Sequence, residues 1–197
     1  MNIPKLIFVY AFPLDKYQRA LYENKNESYP TISEVRSVVS ERQRNWDEEN
    51  GKHNLIQYIC GVTKRVPEGN LECFVYGAGI NTMSTPFLFP AWNKFGTVHT
   101  GKKFIDLVIH ELLHIFLTTN NKHYWEYVVD KYQSEDVSCR NHILLYAMLY
   151  IIYKDIYNCE PMDFGRDNLP AGYARAIEIV KEIGYQKIID EYHTIIN

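Results

Sequence analysis

Phe104-Ile-Asp-Leu-Val-Ile-His-Glu-Leu-Leu-His-Ile-Phe-Leu117 is the stretch on which the reading of this chain turns. Apolar residues surround the five-residue pattern His110-Glu111-Leu112-Leu113-His114, and Asp106 is the one charge in the six residues before it. The segment predicts a buried helix over about 103–118. On a helix, positions i and i+4 lie one above the other, so the imidazoles of His110 and His114 converge on one point. Glu111 is about 100° further round. It is therefore no third ligand in the same plane, but it reaches a water held between the histidines. Two buried histidines and a buried carboxylate are unfavourable unless something satisfies them. A divalent metal ion with Glu111 as general base does so; the plainer alternative is a core helix whose histidines bond to backbone.

The rest of the chain sets the frame. Its 197 residues, 46% apolar and 23% charged, are ordinary for one soluble domain of two lobes, a sheet-bearing part over about 1–100 and a helical part over about 101–197. A net charge of -3 and the lack of a Lys/Arg cluster among aromatics speak against nucleic acid. Cys60, Cys73, Cys139 and Cys159 form no CxxC pair, which reads as free thiols in a reducing compartment. The apolar run Leu6-Ile-Phe-Val-Tyr-Ala-Phe12 stops at Pro13 with no small-residue cleavage site, so it reads as a buried strand rather than a signal segment. No segment is long enough to span a membrane. A cytoplasmic protein is expected, and the oligomeric state stays open.

Between the first strand and the metal helix, residues 15–30 read as a loop or short helix. Thr31 and Glu34 form a capping box for a helix over 32 to about 46, with apolar residues at 32, 35, 38 and 39. The charged run 47–53 leaves its end open, and an apolar patch follows over 55–59. Leu71–Tyr76 reads as a strand, and 80–90 as an extended piece that Pro86 and Pro90 assign to a sheet edge. Downstream, helices are expected over about 138–157, 171–183 and 185–195. The order gives an α+β fold: a small mixed sheet with helices beneath it.

A catalytic zinc needs three protein ligands and an open position. The extended pattern HExxHxxGxxH is absent, because Leu117 and Asn120 occupy the Gly and His positions; Met162 then reads as a packing residue. Carboxylate candidates are Glu126, Asp130, Glu135 and Asp136, the last two also explained by the following helix dipole. The remaining candidate is His142, on one helical stripe with Tyr146, Leu149, Tyr153 and Tyr157. His142 ranks first, ahead of Glu135 and Glu126. Tyr146 is the leading donor to a tetrahedral oxyanion, with Tyr173 and Arg175 behind it. His53, His99, His123 and His193 read as exposed or structural, with a place at the border of the cleft the alternative for His99.

On these residues, Val108-Ile-His-Glu-Leu-Leu-His114 above all, the chain resembles the zincin metallopeptidases. The stretch Arg140-Asn141-His142 with its apolar helix is similar to small bacterial metallopeptidase-like proteins. The resemblance implies a zincin-like fold, an edge strand above the metal helix that holds a peptide in extended form, a Zn2+ cofactor, and a peptide or protein substrate. It assigns the edge-strand role to residues 80–90. The expected activity is hydrolysis of peptide bonds, with non-peptide amides a further substrate class. The competing reading is a zincin-like module that binds metal or peptide without catalysis.

Overall fold

The computed structural model describes residues 3–79, 81–93, 98–118 and 122–196. It is mixed α+β, mostly helical with one small mixed sheet: β1 (Leu6–Tyr10), α1 (Phe12–Asn24), α2 (Ile32–His53), α3 (Leu55–Thr63), β2 (Leu71–Tyr76), β3 (Met83–Ser84), β4 (Phe87–Pro90), α4 (Gly101–Thr118), α5 (Lys122–Lys131), α6 (Val137–Tyr157), a 3-10 turn Met162–Gly165, α7 (Ala171–Ile183) and α8 (Tyr185–Ile196). The chain divides into two compact units, Met1–Gln57 with Val66–Glu111, and Tyr58–Arg65 with Leu112–Asn197. Helix α4 runs unbroken through the second division. Among the described residues no helix is long and apolar enough to cross a membrane.

The first unit holds the sheet, in the order β1-β2-β4-β3. β1, β2 and β4 are parallel, with Phe8 opposite Cys73 and Val75 opposite Phe89; β3 is antiparallel to β4. Parallel strands are covered on both faces and read as continuous apolar runs, and all four residues of β4 are buried. The segment 80–90 therefore splits. Residue 80 lies outside the described residues, Met83–Ser84 form the short edge strand, and Phe87–Pro90 is an inner strand paired on both sides. Pro90 is tolerated there because Ala91 N, not Pro90, supplies the next bond to β2 (Tyr76 O, 2.6 Å), and β3 pairs no further along β4 than Leu88. The other edge, β1, is closed by a side chain: the Gln43 amide accepts from Phe8 N at 2.9 Å and donates to Leu6 O at 3.1 Å.

α2 places Val35, Val38, Arg42 and Trp46 on its buried face, at steps of three and four. Its capping box forms as expected: Thr31 Oγ1 accepts from Glu34 N, and Glu34 accepts from Thr31 N at 2.6 Å. The charged run 47–53 continues the helix to His53, and Asn54 ends it in the left-handed region at φ 52°. α1 is a full thirteen-residue helix with Pro13 in its first turn, so β1 ends at Tyr10, two residues before the expected limit. Its buried Asp15 accepts from Tyr10 (2.6 Å), Tyr29 (2.9 Å), Gly77 N (2.7 Å) and Arg19 (3.1 Å). Gly77 is required at that junction, since a side chain would run into the Tyr29 ring. At the start of α4, Phe104 packs its ring 5.6 Å from Phe8 and 6.0 Å from Phe89.

The second unit is built around α6, buried continuously from His142 to Leu149. α7 and α8 pack against it. α8 also closes the end of α3, through Tyr192 Oη to Thr63 O (2.9 Å) and His193 Nε2 to Val62 O (2.7 Å). α5 docks on α8, where Glu191 accepts from Lys131 and Tyr127. All four cysteines are free.

Candidate metal centre

Helix α4 carries His110, Glu111 and His114 as the spacing predicts, in a stretch where Val108, Ile109, Leu112 and Leu113 are fully buried. His142 stands one and a half turns into α6, whose start is fixed by Asp136 as N-cap, accepting from Cys139 N at 2.7 Å. The ligating atoms of His110, His114 and His142 all lie within 4.8 Å of one another. The rings of His114 and His142, both in the second unit, meet edge to face with centroids 4.8 Å apart, and His110 sits one turn up the same continuous helix. His110 and His142 are buried and His114 partly so.

Each group is tuned by its surroundings. His142 Nδ1 donates to the Ser138 carbonyl at 2.7 Å, which makes Nε2 the nitrogen that bears the lone pair. This is the backbone-carbonyl arrangement by which metal-binding histidines are oriented. Burial lowers His142's pKa, against the opposing pull of Ser138, Asp163 and Asp136. Burial, and next the neighbouring His142, bring His114 down to about 4. A neutral imidazole at pH 7 is the form that ligates a metal. Burial alone lifts the Glu111 carboxyl to about 7, a value suited to taking and returning a proton near neutrality. Its charge is felt by Cys73 of β2, in the same unit.

Three nitrogens on a tetrahedral zinc, with bonds of about 2.0–2.1 Å, stand roughly 3.3 Å apart. The 4.8 Å that bounds the cluster is wider than that spacing, so the three rings would close on a shared ion. Three imidazoles suit zinc among the common divalent ions.

The carboxylates weighed as third ligands are engaged elsewhere. Glu126 is exposed and pairs with Lys122 (3.6 Å) and His123 (3.5 Å); Glu135 accepts from Arg175 at 3.2 Å; Asp136 caps α6; Asp130 is exposed. Tyr146 is fully buried with its ring 5.7 Å from that of His142, and its hydroxyl donates to Asp163 at 2.9 Å. Arg175 is held by Glu135, Glu178 and Glu182. The ring packed nearest His142 is that of the half-buried Tyr173, at 3.9 Å. Gly172 sets it there. An added Cβ would lie 2.8 Å from Asp136 Oδ1 and 2.8 Å from Ser138 Cβ, so only glycine lets the start of α7 approach the start of α6 this closely.

Sequence reasoning missed Asp163 and the Ser138 carbonyl, and no local pattern marks either. Met162, expected to pack, is 47% exposed in the 3-10 turn. His123 is exposed, while His99 is half-buried ahead of α4. No protein-family model, curated protein or solved structure matches the chain.

Proposed function

We propose that this protein is a zinc-dependent hydrolase of the zincin type that cleaves peptide bonds. The observation that carries the reading is the convergence of His110, His114 and His142 within 4.8 Å, beside a buried Glu111 whose carboxyl burial lifts to about 7. His110, His114 and His142 hold the ion. When bound, zinc polarises the scissile carbonyl and brings the pKa of a water towards neutrality. Glu111 takes the proton of the attacking water and returns it to the leaving amine. The buried apolar walls of α4 around this carboxylate keep competing water away and strengthen each polar contact made there. Ser138 holds His142 in the ligating tautomer.

Oxyanion stabilisation by Tyr146 requires its hydroxyl to turn from Asp163. Tyr173, whose ring lies against His142, is the second candidate donor. An extended peptide substrate is favoured by the sheet. Its β1 edge is occupied by Gln43, whereas β3 pairs on one side only among the described residues. An unpaired edge offers main-chain groups to an extended chain.

The decisive experiment is a peptide-library cleavage assay on the metal-free protein, the zinc-loaded protein and the loaded protein with chelator, with simple amides in parallel. Cleavage confined to the zinc-loaded, chelator-free sample is the expected result. Glu111→Gln should keep its zinc and lose about 10²–10⁴ in turnover. Zinc bound tightly with no cleavage of any peptide or amide would leave a binding module and end the enzymatic reading.

A further inference from the structure

Away from His110, His114 and His142, the first unit buries a guanidinium that no carboxylate among the described residues engages. Arg42 is 2% exposed on the inner face of α2. Its Nη2 donates to the carbonyl of Pro90 at 2.7 Å, and its Nε and Nη1 have no hydrogen-bond partner among the described residues. The plane is held between two aromatic rings, with Cζ 5.4 Å from the Phe89 centroid and 5.5 Å from that of Phe104. Ring faces and one neutral carbonyl do not neutralise a full charge. A buried cation is ordinarily paired, because an unpaired one loses its hydration with little in return. Glu41 acts on Arg42 through its charge, without a bond.

The surroundings are those of an anion site. Pro90 ends β4 on the C-terminal side of the parallel trio β1-β2-β4, where open parallel sheets commonly receive ligands. Phe104 belongs to the first turn of α4, eighteen residues long. The first N–H groups of such a helix lack intrahelical acceptors, and its N-terminal end carries partial positive charge. His99, just before that turn, is half-buried; burial first, and then the charges of Lys103 and Arg42, lower its pKa, so a neutral imidazole N–H shares one locality with two cations. We infer that Arg42, the first turn of α4 and His99 form a binding site for an oxyanion, the carboxylate or phosphate group of a ligand. The site is independent of metal binding: an anion at Nε or at Nη1 also meets the second hydrogen of Nη2, so the planar guanidinium offers it two donors while Nη2 keeps its bond to Pro90.

The test is a titration of the 15N-labelled full-length chain with sodium phosphate, and separately with sodium acetate, at constant ionic strength, followed through the Arg42 Nε–H resonance. A saturable shift supports the site. Saturation by phosphate alone identifies a phosphate ligand, and by acetate alone a carboxylate. Arg42→Lys keeps the charge and loses the fork, and should weaken binding by about tenfold or more. The exposed Lys103→Gln, which leaves the core untouched, should weaken it by about two- to threefold. Because the wild-type titration and Lys103→Gln stand without the Arg42 variant, a variant that fails to fold leaves the test decided. Strictly linear movement with both anions, or saturable binding that neither Lys103→Gln nor Arg42→Lys weakens, overturns the inference.

Discussion

His142 shows how much a single residue depends on what the fold brings to it. Sequence spacing put His110, Glu111 and His114 on one helix because the geometry of a turn is local and fixed. His142 lies 28 positions past His114 on a different helix; its helical stripe ranked it first among the third-ligand candidates, but only the meeting of the rings separates it from Glu135 and Glu126. Asp163 carried no signal at all, since its role arises from a 3-10 turn packed onto α6. Metal content should follow this geometry. His142→Ala is expected to purify without zinc, while Glu135→Ala keeps it, because Glu135 serves Arg175 rather than the histidines. Elemental analysis of both variants checks this, and the opposite pattern would move the third ligand to the carboxylate.

The protonation of His114 gives a second test at this scale. Its pKa in the folded chain is about 4 against the ordinary 6.5, through burial and then His142. Lowering the folded value means that the unfolded chain binds the proton more readily. The metal-free protein should therefore hold its full His114-linked stability above pH 6.5 and lose it progressively as pH falls towards 4. Urea unfolding of chelated protein across that window reads the effect, and His114→Gln should flatten the slope. An equally steep slope in the variant would assign the loss to other groups. Asp15 works on the acid side with the same sign. Burial acts to raise its pKa, but the bonds from Tyr10, Tyr29, Gly77 N and Arg19 together hold it below the usual carboxylate value. Its contribution is present above the unfolded pKa and is lost as pH drops through the lower, folded one.

At the scale of elements, legibility tracked amphipathic period and capping chemistry. α2, α4, α6, α7 and α8 follow from apolar spacing or end signals, and the Thr31–Glu34 box formed as written. Thr31→Ala should cost about 1 kcal/mol, the usual value of a lost N-cap, measured by chemical denaturation; an unchanged midpoint would show that the cap is idle. α1 and α5 were harder to read for a shared reason. Each buries only two residues, Asp15 and Gln18 in α1 and Tyr124 and Val128 in α5, so neither displays a full apolar stripe. Gly172 was silent too, because a glycine's meaning lies in what approaches it. Gly172→Ala puts a methyl group 2.8–2.9 Å from Asp136, Ser138 and Cys139, and should cost about 1–3 kcal/mol as the start of α7 withdraws. Since Tyr173 is the next residue, the same variant should lower turnover at unchanged zinc content. Full turnover in a folded Gly172→Ala protein would remove Tyr173 from the mechanism.

For the molecule as a whole, the α+β class and the order of elements were readable, whereas the pairing of strands was not. Two prolines suggested an edge, yet strand order is set by long-range pairing, and Phe87–Pro90 ended inside the sheet because Met83–Ser84 took the edge. Metal binding supplies a property of the entire chain that can be measured. A ligand that binds only the folded state stabilises it by RT ln(1 + [L]/Kd), about 4 kcal/mol at a thousandfold excess over Kd. For a chain of this size that corresponds to a rise of roughly 10 °C in the unfolding midpoint. Zinc added to metal-free protein should produce such a rise, chelator should reverse it, and His142→Ala should show little of it, because two histidines on one helix turn grip an ion far less well than three. Calorimetry with and without zinc decides the matter: equal midpoints for the wild-type protein at a zinc concentration well above that expected of a three-histidine site would mean that the imidazoles of α4 and α6 are packed together for structural reasons alone.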